Sequence, residues 1–145
     1  MYIEKIIELT DEVFSAVQRL VSLLGAHKPI PSRNDLELLL NSGSSNLLVA
    51  RFPDADSQIV GMLSISVYRV PTGGRSIVED LVVDTNFRNR GIAKALVLSA
   101  IDLAREAGAN GVALTSNFRR IEANQLYISM GFQKRETNAY FYKLG

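Results

Sequence analysis

The chain has no cysteine and a single histidine, His27. The first absence removes thiol nucleophiles, thiolate metal sites and any disulfide framework. The second removes multi-histidine metal sites and weighs against a Ser-His-Asp triad, so no metal is expected. Charge of one sign is lacking too. Sixteen Lys and Arg stand against fifteen Asp and Glu, for a net charge of +1. The two signs are mixed along the chain, without a block of about five or six like charges. Broad electrostatic binding to nucleic acid or to a membrane surface therefore has no support. No apolar run reaches the roughly 18 residues that a membrane span requires. The opening residues lack the charged-then-apolar pattern of a signal peptide. The sequence accordingly reads as a soluble, cytoplasmic protein without repeats, linkers or low-complexity segments.

What is present fits one domain over all 145 residues. A chain of this size buries roughly 68–70% of its unfolded surface and needs no covalent or metal staple. Isoleucine-rich Tyr2 to Leu9 reads as a first strand, with Thr10 or Asp11 as the cap of the next helix. In that helix Val13, Phe14, Val17, Leu20, Val21 and Leu24 recur at helical spacing. A proline loop follows His27, and Ser32 caps a second helix carrying Leu36, Leu39 and Leu40. Strands are expected over residues 47–51 and 58–68, and Pro71-Thr72-Gly73-Gly74 reads as a hairpin turn into a fourth strand. After a long helix stopped by Gly108 come a strand at 112–115, a helix at about 119–130, and two closing strands at 132–135 and 139–144. The order β-α-α-β-β-β-α-β-α-β-β describes a three-layer α/β/α fold. Its sheet is mixed and mostly antiparallel, with one parallel crossover.

The stretch from Ile77 to Gly108 organises the rest. An apolar strand enters a short basic turn, Arg88-Asn89-Arg90-Gly91-Ile92-Ala93, which opens directly into the long helix. The first N–H groups of a helix lack intrahelical partners and carry the positive end of the macrodipole. Such an end receives a pyrophosphate without a metal. Gly91 and the small Ala93 allow close approach, and Arg88, Arg90 and Lys94 add positive charge. The turn is not a Walker loop, because it lacks the Gly-Lys-Ser/Thr ending. It is not a dinucleotide fingerprint either, because the later glycines are missing.

The turn resembles the signature of the GNAT N-acetyltransferase superfamily, Arg/Gln-x-x-Gly-x-Gly/Ala after a strand. A second block, Ala123 to Phe132 with Tyr127 and Gly131, is similar to that family's Ala-x-x-x-Tyr-x-x-x-Gly-Phe. The resemblance is strong over about residues 75–145 and covers the first 70 residues mainly in element order. It implies the acyl-CoA N-acyltransferase fold, with fourth and fifth strands splayed apart and a bulge in the fourth. It also implies acetyl-CoA as cosubstrate. The pantetheine arm would lie along Leu81, Val82 and Val83, and the pyrophosphate would sit on Arg88, Asn89, Arg90, Gly91, Ile92, Ala93 and Lys94. A Val82 or Val83 amide would polarise the thioester carbonyl. Arg120 stands where the family often has an asparagine, which leaves Asn124 or Asn117 as a substitute contact to the coenzyme. Arg119 and Arg120 either reach a coenzyme phosphate or form a solvated face.

The chemistry so implied is direct acetyl transfer to a primary amine. The acceptor is a small molecule in preference to a peptide or protein amine. It would bind between residues 24–40 and strands four, six and seven. Tyr127 is the expected acid for the leaving sulfur. Glu79 is the expected base, with Asp80 or a water chain as alternatives. Strict alternation puts Ile77, Glu79, Leu81 and Val83 on one face of the strand and Val78, Asp80 and Val82 on the other. Only a bulge would let Glu79 and Asp80 both face the site. Either carboxylate could instead pair with a basic neighbour such as Arg75 or Arg119. The Glu79-Asp80 pair resembles that of glucosamine-phosphate acetyltransferases. Two other readings stand beside the enzyme: a non-catalytic acyl-CoA-binding module and a nucleotide-phosphate site. A homodimer is open, because two closing strands offer an edge.

Overall fold

Thr10 separates the first strand, β1 (Tyr2–Ile6), from the first helix, α1 (Asp11–Ser22). Its hydroxyl accepts a hydrogen bond from the Val13 amide at 3.2 Å, one of the first-turn donors that the helix itself cannot use. Ser32 starts α2 (Arg33–Asn41) with a reciprocal pair. Its hydroxyl accepts from the Asp35 amide at 3.1 Å, and the Asp35 carboxylate accepts from the Ser32 amide at 2.8 Å. Hydrogen bonds from Ser32, its amide first and its side chain second, hold the Asp35 carboxyl below its ordinary pKa. The remaining elements are β2 (Ser45–Arg51), β3 (Ile59–Val70), β4 (Gly73–Val83), a 3₁₀ turn (Thr85–Phe87), α3 (Ile92–Glu106), β5 (Ala113–Leu114) and α4 (Ile121–Ser129). The computed structural model describes residues 1–145. The chain forms two units, Met1–Thr115 and Ser116–Gly145.

In the first unit the strands lie in the order β1-β2-β3-β4-β5. All pairs are antiparallel except β4 with β5, which are parallel and joined through α3. Alternation along the strands sorts the core into two layers. Leu47, Val49, Ile59, Met62 and Val82 pack with Val13, Ala16, Val17, Leu20 and Val21 of α1 and Leu36 of α2. The opposite face carries Gly61, where an added Cβ would meet Ile92 and Leu96 of α3 at 3.3 Å. Leu20, Val49, Leu63, Ile65, Leu96 and Val97 are fully buried. Each such side chain contributes about 1.5–3 kcal/mol relative to exposure. The sheet is therefore covered by α1 and α2 on one face and by α3 on the other, as the patterning predicts.

One charged residue ties three elements of this unit together. The Arg51 guanidinium, only 13% exposed, lies 2.7 Å from Glu12 of α1 and 3.6 Å from Glu4 of β1. It grips both Glu12 oxygens, at 2.8 and 2.7 Å, and also donates to the Ser57 carbonyl at 2.9 Å. Planar two-bond pairing of this kind is the strong form of a salt bridge.

The second unit differs from the sequence expectation. Its helix begins at Ile121 after a turn in which Asn117 Oδ1 accepts from the Arg119 amide at 2.9 Å. The strands expected at 132–135 and 139–144 do not form: no helix or strand follows Ser129, and residues 133–145 are exposed. Alternation reports a preference for extended backbone, but a strand exists only where a second strand accepts its hydrogen bonds. The first strand is also shorter than expected, ending at Ile6.

Arg51 holds the Glu12 carboxyl below the ordinary glutamate pKa, chiefly through its hydrogen bonds. A lowered folded-state pKa contributes stability above the unfolded value of ~4.3, and that contribution is lost as pH falls through the folded value. Glu12→Gln should therefore lower the unfolding free energy by about 0.5–1 kcal/mol at neutral pH. The gap between variant and parent should close as the pH falls below the folded-state pKa. Urea melts at several pH values check both parts.

Candidate active site

The site begins where β4 stops behaving as a regular strand. Its ladder with β3 runs to Ser64 opposite Glu79 and resumes with Met62 opposite Val82. Leu63 alone thus faces both Asp80 and Leu81, which is a β-bulge. Asp80 takes the extra turn with φ of 53°, a left-handed conformation that aspartate tolerates better than most residues. The bulge corrects the strict alternation. Ile77, Glu79 and Val82 share the α1 face, whereas Val83 lies opposite Gly61 on the α3 face. Glu79 and Asp80 are both exposed. Neither takes part in any ion pair, and Arg75 donates to Thr72 at 2.8 Å instead. The expected alternative of a structural salt bridge at Glu79 or Asp80 is therefore not met.

On its other side β4 pairs with β5 only through Ile77 with Ala113 and Val78 with Leu114. From Glu79 to Val83 that edge of β4 has no strand partner, so Leu81, Val82 and Val83 lie on an open edge. This is the expected splay.

The basic turn follows directly. Asp84 fixes its start: its amide donates to the Val60 carbonyl at 2.7 Å, and its carboxylate accepts from the Asn86 amide at 3.2 Å. Arg19 of α1 braces the same point, donating to the Ile59 carbonyl at 2.7 Å and lying 3.8 Å from Asp84. Arg88 Nε donates back to the Val83 carbonyl at 3.3 Å. Asn89 and Gly91, at φ of 61° and 78°, bracket Arg90 with two left-handed residues. The Arg90 guanidinium stands 5.5 Å from the Phe52 ring and 5.7 Å from the Phe87 ring, and the two rings meet edge to face at 6.1 Å. Cations are attracted to ring faces at such distances. Nothing in the sequence marks Phe52 as part of this turn, because it arrives from the far end of β2.

Gly91 occupies the N-cap of α3, so no side chain caps the helix. The first helical bond is from Ala95 to the Gly91 carbonyl at 3.0 Å. The Ile92, Ala93 and Lys94 amides are left without intrahelical acceptors. A Cβ at Gly91 would meet nothing within 4 Å, so glycine is required there by its positive φ and not by crowding within the chain. Arg88, Asn89, Arg90 and Lys94 are exposed around this end. The donor set, the positive helix end and the open backbone fit a pyrophosphate.

In the second unit, Tyr127 is 7% exposed and its ring meets Phe132 edge to face at 5.8 Å. Burial pushes the Tyr127 hydroxyl above its ordinary pKa, with Arg120 opposing in part. The hydroxyl therefore stays protonated throughout the neutral range. Asn124 spends both amide hydrogens on local carbonyls, of Asn117 at 3.0 Å and Arg120 at 2.8 Å. Only its side-chain oxygen remains for a ligand. Arg119 and Arg120 are exposed, with Arg119 lying 5.5 Å from the Phe118 ring. The surface hollow bounded by Lys5, Asn46, Tyr68, Arg69 and Glu106 contains none of the expected site residues. The residues of the basic turn from Arg88 to Gly91 are exposed.

A two-faced mixed sheet, a bulged strand with one open edge and a basic turn entering an uncapped helix define the class: an α/β protein with an anion-receiving helix end beside a free strand edge. The chain belongs to the acetyltransferase (GNAT) family, whose model matches residues 11–132. Members of this family use acetyl-CoA. Among curated relatives, N-acetyltransferase 8B of Rattus norvegicus is 37% identical over 90 residues, covering 61% of this chain and 40% of the relative. Glucosamine 6-phosphate N-acetyltransferase of Trypanosoma brucei brucei is 32% identical over 82 residues, covering 54% of each. The chain thus spans about 40% to 54% of the length of these relatives. Among solved structures, an aminoglycoside acetyltransferase, meta-AAC0020, from an uncultured soil metagenomic sample superposes with a TM-score of 0.84. Its identity is 25%, over 99% of this chain and 96% of that one, and it has been solved with trehalose and with sisomicin.

The bulge makes a specific demand on residue 80. A β-branched side chain in the left-handed region costs about 1–2 kcal/mol. Asp80→Val should lose about that much stability in a urea melt, while Asp80→Gly should stay within about 0.5 kcal/mol of the parent.

Proposed function

We propose that the chain is an acetyl-CoA-dependent N-acetyltransferase acting on the primary amine of a small molecule, and that both units belong to one catalytic domain. The observation that carries this reading is the uncapped, glycine-led start of α3 next to the open edge of β4. A pyrophosphate and an extended pantetheine arm need those two features side by side. That the family model runs across both units supports a single domain. The printed activities of the relatives, on glucosamine 6-phosphate and on aminoglycosides, support a small polar amine over a protein acceptor.

In this reading the Ile92, Ala93 and Lys94 amides and the side chains of Arg88, Asn89, Arg90 and Lys94 hold the pyrophosphate, with Gly91 keeping the approach clear. Leu81, Val82 and Val83 receive the pantetheine arm along their free edge, as an added strand would lie. The Asn124 side-chain oxygen offers one further polar contact. Acetyl-CoA supplies the acetyl group as a thioester and departs as the thiol. An alkyl ammonium with pKa near ~10.4 must lose a proton before it can attack. Glu79, exposed and unpaired beside the bulge, takes it directly or through water. Tyr127, kept protonated by burial, retains a proton for the leaving sulfur. Positioned proton transfer of this kind contributes about 10²–10⁴-fold.

A thiol-release assay over aminoglycosides, glucosamine 6-phosphate and short peptides tests the reading. Turnover is expected with at least one small amine. Tyr127→Phe should reduce kcat by about 10²-fold or more while the CoA-induced thermal shift persists. Gly91→Asp should erase that shift, which at a hundredfold excess over Kd corresponds to about 2.7 kcal/mol of stabilisation. CoA binding without turnover of any amine, and no effect of Tyr127→Phe, would leave a coenzyme-binding module. Protection by ATP in place of CoA would remove both readings.

A further inference from the structure

Of the cations at the start of α3, Arg88, Arg90 and Lys94, one is placed by aromatic packing. The Arg90 guanidinium lies 5.5 Å from the Phe52 ring and 5.7 Å from the Phe87 ring, and the rings meet edge to face at 6.1 Å and 68°. Both rings are half-buried, and Arg90 is exposed. The platform is itself fixed from two sides. The Phe52 amide donates to the Gln58 carbonyl at 3.4 Å, closing the β2–β3 connection, and the Phe87 amide donates to the Asp84 carbonyl at 2.9 Å in the 3₁₀ turn. Arg51, next to Phe52, holds the same connection through the Ser57 carbonyl at 2.9 Å.

The manner of anchoring matters for an anion. A guanidinium has five N–H donors, all in its plane, and no acceptor. A carboxylate partner uses those donors, as Glu12 does with Arg51. A carbonyl does likewise, as Val83 does with Arg88 Nε. A ring face attracts the cation through its quadrupole and takes no N–H. Arg90 enters none of the chain's ion pairs. It is held in place with its donors kept from any carboxylate, next to an α3 start that no side chain caps. A free arginine side chain loses rotamer freedom when a ligand fixes it, and one already resting on a platform loses less.

We propose that Phe52 and Phe87 are positioning residues for coenzyme binding. They hold Arg90 ready for a phosphate group of CoA, and Arg90 keeps its place on the rings when the phosphate is bound. This rests on the acetyl-CoA reading of the α3 start. It makes coenzyme affinity depend on a ring supplied by the β2–β3 connection, far from the basic turn in sequence.

Titration calorimetry with CoA, on the full chain and its variants, tests this. Phe52→Leu keeps an apolar side chain but removes the ring, and should weaken CoA binding about 2–5-fold. Phe52→Tyr, which keeps a ring face, should bind as the parent does. Arg90→Ala should weaken binding at least as much as Phe52→Leu, and adding Phe52→Leu to it should cost nothing more. A ring that only braced the two connections would act equally with and without Arg90, so the double variant separates positioning from structure. Equal CoA affinity of Phe52→Leu and the parent would overturn the proposal. So would additive losses in the double variant, or a loss in Phe52→Tyr as large as that in Phe52→Leu. In each of these cases the parent still binds CoA and the coenzyme reading stands. A parent that binds no CoA overturns both. If Phe52→Leu does not fold, Phe87→Leu completes the same cycle with the second ring, with the same expected and overturning results.

Discussion

Backbone hydrogen bonding along β4 is the constraint from which the rest follows. Each N–H and C=O in a folded chain must find a partner. β4 gives one set to β3, interrupted only at the bulge, but its second set finds β5 only at Ile77 and Val78. The bulge at Asp80 comes two residues later, and a bulge bends its strand and sharpens the twist. The two effects reinforce one another. β5 is too short to follow β4 beyond Val78, and the bulge breaks the regular course of β4 just past that point. What remains is a stretch of main chain, Glu79 to Val83, where Arg88 takes the Val83 carbonyl and the other outer hydrogen-bonding groups must be met by solvent or by a ligand with its own amides.

An open edge binds only if its walls keep their place, and the polar ties of the first unit gather at that end of the sheet. Arg51 closes β2 onto α1 and β1, and Arg19 joins α1 to the start of β3 and to Asp84. Asp84 in turn hangs on Val60 and anchors the 3₁₀ turn. Arg90, resting against Phe52 and Phe87, ties the basic turn to the β2–β3 connection. The partly exposed Arg19–Asp84 pair is worth about 0–1 kcal/mol singly, and the two-bond Arg51–Glu12 pair is the stronger tie. Their effect is positional. They fix the junction between β4 and α3 from three directions, while the apolar layers on the two faces supply the stability.

The element order up to α4, the two helix caps and the layering were legible because each rests on local chemistry. Thr10 and Ser32 cap whatever follows them, and apolar periodicity sorts faces regardless of partners. The basic turn was legible for the same reason, since a glycine at a strand-to-helix junction leaves the amides of Ile92 to Lys94 free by construction. What was not legible depends on residues distant in sequence. The bulge changes which side chains share a face with Glu79, yet it is visible only in the register against β3. The Phe52 platform under Arg90 has no local mark. The two closing strands were expected from residue type and position after Gly131, which cannot say whether a partner strand is there to receive them.

The β3–β4 surface also suggests why coenzyme and acceptor place such different demands on the sequence. On the α1 face the apolar layer ends at Met62 and Val82. The next residues on that same face, Ser64, Ser66 and Glu79, are polar and at least partly exposed. The change takes place at the bulge. Without it, Val82 would leave the core face and Leu81 would occupy the position beside Glu79. The bulge therefore does two things at once: it opens the edge that the proposed function gives to the pantetheine arm, and it sets a carboxylate flanked by serines next to that opening. In the proposed function, a small amine rich in hydroxyl groups would meet there side chains able to accept and donate hydrogen bonds. A coenzyme site of this kind is specified by main-chain geometry and needs few particular side chains. In the proposed function the acceptor would be met by the side chains that stand beyond the bulge, Ser64 and Ser66 among them.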